Sequence, residues 1–157
     1  SVLTGGRTSR LHRRLVTEER LATYVTSSVG PGTLYPGHFS INTVPRAPHT
    51  TEELEEVIYQ ELDRLRREPP DSMEIQRVRN QLEASRIRRL ESNFGLAYQL
   101  ASSATLYGDW RRSFRFTRRL QEVTPADVRR VVRRYFRPEN RTVTTLVPED
   151  EGTEAGS

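Results

Sequence analysis

Cysteine is absent from the 157 residues, and so is lysine: all 25 basic residues are arginine. Without cysteine the chain has no disulfide, no thiolate zinc site and no thiol nucleophile, and its redox compartment stays open. The missing lysine has the look of codon usage in a GC-rich genome rather than of a functional choice. Histidine is scarce, with only His12, His38 and His49, and methionine and tryptophan occur once each. No apolar run approaches the ~20 residues that cross a bilayer. Mean hydropathy is −0.73, so the sequence describes a surface-rich chain with room for one core.

What is abundant is charge, at 29% of residues with a formal net of +4. A basic balance invites a nucleic-acid reading, because neutralised phosphates drive such binding. The arginines alternate with acids, however, in EELEEVIYQELDRLRRE and in DVRRVVRRYFRPEN. That pattern reads as solvated helix faces, and a basic nucleic-acid-binding module is the alternative. Trp110, Phe114 and Phe116 stand among arginines and could stack on bases. Their helical spacing beside Leu106 and Leu120 predicts core and rim instead.

Along the chain, Ser1–Thr4 followed by Gly5-Gly6 reads as the last turn of a helix and its glycine stop. A helix from Thr8 or Ser9 to about Glu19 follows, with Leu11 and Leu15 on one face. LATYVTSSV (21–29) is rich in β-branched residues, and HFSINTV (38–44) alternates with Phe39, Ile41 and Thr43 on one side. The two predict an antiparallel hairpin across a Gly/Pro turn at 30–37. Thr50 with Glu53, and Asp71 with Glu74, are capping boxes. They open helices carrying Leu54, Val57, Ile58, Leu62 and Leu65, then Ile75, Val78 and Leu82. A break near Asn93–Gly95, a helix to Tyr107, a Gly108 stop and a helix over Trp110–Leu120 come next. Thr124-Pro125 starts a helix with Val128, Val131, Val132, Tyr135 and Phe136 in line. RTVTTLV (141–147) predicts a third strand, and residues 149–157 a disordered acidic tail. The order predicts an α+β fold of two layers, an antiparallel sheet with helices on one face. Three strands are few for so many helices, as if one lay upstream.

Four phrases, in order and at matching spacing, resemble the second half of a subunit of the insulinase, pitrilysin and processing-peptidase family. They are GGRTSRLHRRLVTEERLA, HFSINTVPRAPHTTEELEEVIYQELDRL, LESNFGLAYQLASSATLYGDW and VTPADVRRVVRRYFRPENRTVTTLVP. These are zinc metallopeptidases with an inverted H-x-x-E-H motif. The resemblance implies that residues 1–148 are part of a C-terminal peptidase-family domain, starting inside its first long helix. It also implies an upstream homologous domain of the same subunit, a homo- or heterodimeric peptidase partner, and a peptide substrate. A bacterial location, cytoplasm or periplasm, goes with it.

Zinc peptide hydrolysis needs two histidines on one helix face and a glutamate to activate water. His12, His38 and His49 are too far apart in sequence for that, so the chain carries no H-x-x-E-H and is expected to be inactive alone, with no catalytic or metal residue. Zinc is expected in the upstream domain. Some family members hold the substrate backbone with an arginine and, seven residues later, a tyrosine. By alignment those places are Val16 and Thr23, so the pair looks absent. Tyr24 is one position off, and a one-residue slip turns a strand side chain to the other face; a gap in the alignment would bring it back. Lacking the pair, the chain resembles the C-terminal half of a zinc-bearing subunit. A core-type structural subunit without zinc is the other option.

Overall fold

The structure is a computed structural model that describes residues 2–30 and 35–146. Ser1 of the expected helix end, part of the expected Gly/Pro turn, Val147 and the acidic tail lie outside the described residues.

The chain after the first turn runs as α1 (Arg10–His12), which continues directly into a π-wound segment (Arg13–Glu18). Glu19 N–H reaches back five residues to Arg14 O at 2.9 Å. Leu11 and Leu15 are fully buried, as their spacing predicts. β1 (Ala22–Gly30) and β2 (His38–Pro45) then form an antiparallel hairpin. Val25, Ser27 and Val29 pair with Thr43, Ile41 and Phe39 on the inner face. Phe39 meets Phe136 edge-on, with ring centroids 5.2 Å apart.

α2 (Thr51–Arg67) starts on the Thr50/Glu53 box and α3 (Ser72–Leu90) on the Asp71/Glu74 box. α6 (Pro125–Tyr135) starts on a box made by Thr124 and Asp127. Such a cap stabilises a helix by ~1 kcal/mol. α2 is the central helix: Leu54, Val57, Leu62 and Leu65 are buried against Leu11, Leu15, Ala22, Val25 and Val132. Each leucine side chain so buried contributes roughly 2 kcal/mol.

α4 (Asn93–Tyr107) follows a break at Glu91–Ser92, with Ser92 as its cap and Gly108, at φ +69°, as its stop. Gly95 in its first turn is a forced choice. A Cβ there would sit 1.9 Å from the Arg89 carbonyl oxygen, because the chain doubles back on the end of α3. α5 (Arg112–Glu122) packs on α3 and α4.

The α+β class holds, with helices against one sheet, but two expectations fail. The predicted third strand is not formed: residues 141–146 have no ladder, and the sheet of the described residues has two strands. A β-branched sequence is not enough, since strand amides and carbonyls need a neighbouring strand to bond. The aromatic residues at the start of α5 are not core either. Trp110 and Phe114 are each 43% exposed, Phe116 is 67% exposed, and α5 buries no residue. Arginines cover these rings instead: the Arg86 guanidinium lies 5.1 Å from the Phe114 ring and that of Arg111 lies 4.3 Å from Trp110. The apolar line of α6 is likewise only partly inside. Val132 is buried, but Val131 and Tyr135 are exposed.

Candidate functional site

The region around Val16 and Thr23, the positions a substrate-holding pair would take, has irregular backbone. The π-wound segment ends at Glu18, and Arg20 then takes φ +56°. A left-handed non-glycine residue costs roughly 1–2 kcal/mol, and such residues concentrate at functional sites. Three residues on, the sheet register jumps: Ala22 faces Pro45 and Tyr24 faces Val44, so Thr23 has no residue opposite. This is a β-bulge.

The bulge resets which side chains face in. Strand side chains alternate, so Ala22 and Val25 would lie on opposite faces of a regular strand. With one residue extra, both are buried, and Thr23 and Tyr24, adjacent in sequence, are both exposed. Two hydroxyls pin the arrangement. Thr23 Oγ1 donates to Val44 O at 3.3 Å, and Thr43 Oγ1 donates to Tyr24 O at 2.8 Å. Arg46 N–H closes the hairpin end on Leu21 O at 2.7 Å.

Tyr24 is 46% exposed on the outer side, beside the exposed Val44 and in a row with Thr26 and Ser28. Val16 is half-buried and packs against the core, whereas Thr23 is exposed. The expectation that a one-residue slip turns Tyr24 away is altered by the bulge. Tyr24 and Thr23 share the outer side. Sequence reasoning missed Arg20, whose exposed guanidinium makes no ion pair among the described residues. A non-glycine residue in the left-handed region leaves no mark in a sequence pattern.

The histidines are on separate elements. His12 is in α1, with Nδ1 buried and without a partner among the described residues, and His38 opens β2. His49 Nδ1 lies 3.1 Å from Glu53 Oε2, and the Glu53 carboxylate is held below its ordinary value mainly by the Thr50 backbone N–H. Among the described residues no three His, Asp or Glu side chains come together as a metal would need. These residues do not fit a zinc ion, and no step through a metal is assigned to them.

The charged network that is built is structural. Arg10 Nε and Nη2 donate to the two carboxylate oxygens of Glu74 at 3.0 and 2.8 Å, and Nη1 donates to Glu68 O at 3.2 Å. Glu61, 2% exposed, brings Oε1 to 3.7 Å from Nη1. The Glu74 carboxyl is held below the usual carboxylate range, chiefly by the hydrogen bonds from Arg10, against the opposing effect of burial.

Residues 1–82 match the family described as the peptidase M16 inactive domain. The chain belongs to that family. In fold it is similar to a protease from Helicobacter pylori, with TM-score 0.76 and 24% identity over 87% of this chain. It spans 33% of that protein's length. It is similar to a candidate zinc protease from Bordetella pertussis Tohama I, with TM-score 0.79 and 24% identity over 94% of this chain and 80% of the other. A third likeness is to the inactive peptidase domain of a candidate zinc protease from Bordetella parapertussis. There the TM-score is 0.81 and identity 22%, over 97% of this chain and 81% of the other. Among curated proteins no sequence matches the chain. Among the described residues no helix is long and apolar enough to cross a membrane.

Proposed function

We propose that the chain is the non-catalytic half of a zinc endopeptidase subunit, and that residues up to 148 form one wall of a peptide chamber. The outer face of the hairpin is the proposed lining, with Tyr24 as a contact for the substrate backbone. The bulge at Thr23 carries this reading. It sets Tyr24 outward on the bulged, hydroxyl-pinned strand, next to strained Arg20. Each strand also has one edge unpaired among the described residues, where an extended peptide could add main-chain hydrogen bonds. Zinc and the water-activating glutamate belong, in this proposal, to an upstream homologous domain.

The helical side is the proposed interface with that domain and with a second peptidase subunit. α4 buries one residue, Ser103, while Phe94, Leu96, Tyr98 and Leu106 are exposed. Phe94 and Tyr98 stack at 6.1 Å. Apolar rings left in water at this density favour a covering partner.

The test compares this chain with the product of its whole open reading frame, by elemental zinc analysis and chelator-sensitive peptide cleavage. Zinc and cleavage in the long product alone are expected. Tyr24→Ala in the long product is expected to raise KM more than it lowers kcat. Zinc in neither protein would overturn the reading in favour of a core-type subunit. Zinc in the short chain would overturn the assignment of its histidines.

A further inference from the structure

The positive charge of this chain is concentrated on one helix. Residues 110–121 hold five arginines and no acid, which exceeds the net +4 of the whole chain. α5 packs on α3 and α4 with Ser113, Thr117 and Leu120 half-buried, and all five arginines are exposed. Arg115 pairs with Asp109. Arg111, Arg112, Arg118 and Arg119 meet no carboxylate among the described residues, and the neighbouring acids Glu83, Glu91 and Glu122 pair with none of them. The first turn of α5 has no acid either. A helix dipole disfavours cations at that end, so Arg111, Arg112 and Arg115 add their charge to an end that already attracts anions.

Aromatic rings stand among these arginines and are open to water. Phe116 is 67% exposed, and Trp110 and Phe114, 6.0 Å apart edge-on, are each 43% exposed. Guanidinia already stack on two of them, Arg86 on Phe114 and Arg111 on Trp110, whereas none lies over Phe116 among the described residues. Exposed rings interleaved with cations are what a single-stranded nucleic acid recognises, its phosphates taking the charge and its unpaired bases the rings. A duplex offers the phosphates but keeps its base faces stacked. A membrane surface needs a continuous apolar face, and the one aliphatic side chain of α5, Leu120, is half-buried.

We propose that the outer face of α5 binds single-stranded nucleic acid without regard to sequence. Arg111, Arg112, Arg118 and Arg119 take backbone phosphates, and Phe116 and Trp110 stack on bases. This binding is separate from the proposed chamber wall on the hairpin.

Trp110 is the only tryptophan, so its fluorescence in the 157-residue chain reports on this face directly. Titration with a 12-nucleotide oligothymidylate at 0.05 M salt is expected to quench it. Four phosphate contacts on a single strand predict a loss of affinity of about 50-fold between 0.05 and 0.2 M salt. An abasic strand of the same length is expected to bind roughly tenfold more weakly, as is the oligothymidylate to Phe116→Ala, each lacking a stacked base. Arg118→Gln/Arg119→Gln should lower the salt slope by about 1.4. Arg133→Gln/Arg134→Gln on α6 removes the same charge elsewhere and should leave the slope unchanged. Both double changes are at exposed positions. Absence of quenching at 0.05 M salt would overturn the proposal. So would equal affinity for the abasic strand, or an equal fall in slope for the α6 pair, which would mean attraction to net charge alone. A blue shift of Trp110 on phosphatidylglycerol vesicles without any response to the oligonucleotide would overturn it in favour of a membrane surface.

Discussion

Arg10 is the residue whose loss should cost the fold most for the fewest atoms. Its side chain is 12% exposed, and the guanidinium stands between Glu74, which it grips through two hydrogen bonds, and the buried Glu61. Glu61 Oε1 has no hydrogen-bond partner and depends on the positive charge 3.7 Å away. At an effective dielectric near 20, that attraction is on the order of 4 kcal/mol. It offsets the several kcal/mol of desolvation that a buried carboxylate suffers. Arg10→Met keeps the stem but strands the Glu61 charge, and breaking a buried pair in this way costs about 3–5 kcal/mol. For a chain of this length that is a fall in Tm of roughly 6–20 °C. Urea titration and calorimetry of the 157-residue chain measure it. The partner change Glu61→Leu removes the stranded charge, so Arg10→Met/Glu61→Leu should regain most of the loss, a coupling far from additive. A cost below ~1 kcal/mol for Arg10→Met would refute the reasoning, which assumes that a buried unpaired carboxylate is expensive. So would a double variant as weak as the sum of the two single ones.

Two further outcomes follow from the same geometry. The folded Glu74 carboxyl titrates below its ordinary value of 4.5, so its contribution is complete above that value and is lost as pH falls through the lower, folded one. Acid unfolding of Glu74→Gln should therefore be shallower below about pH 4.5 than that of the parent; parallel stability curves would contradict this. Arg20→Gly should stabilise by up to ~1 kcal/mol, because glycine takes the left-handed φ without strain and only the looser unfolded chain opposes it. A lower urea midpoint for that variant would show that the Arg20 side chain gives more than its backbone costs.

Much of the fold was legible because its signals are local. The caps at Thr50, Asp71 and Thr124 were readable from two residues three apart, and the hairpin from alternation either side of Gly and Pro; the Ser92 cap of α4 was not. Glu61 was not, because an acid between Gln60 and Leu62 looks like any solvent-facing helix position until the arginine from α1 arrives beside it. The segment 141–146 has strand composition, but composition cannot supply the neighbour that a ladder requires. The aromatic residues of α5 have core spacing, and that spacing says nothing about whether a second layer is there to receive them. At the candidate site the common side of Thr23 and Tyr24 was not legible, since register is a property of two strands together.

The bulge at Thr23 also bears on how this strand can change over evolutionary time. Excise Thr23, and the pairing Ala22 with Pro45 and Tyr24 with Val44 becomes an unbroken ladder. Ala22 and Val25 would still face inward, with Tyr24 between them facing out. The strand can therefore gain or shed one residue at this point without any other side chain changing sides. Position counting is the wrong ruler across such a joint: homologous residues on either side of it differ by one in number while occupying the same place in space.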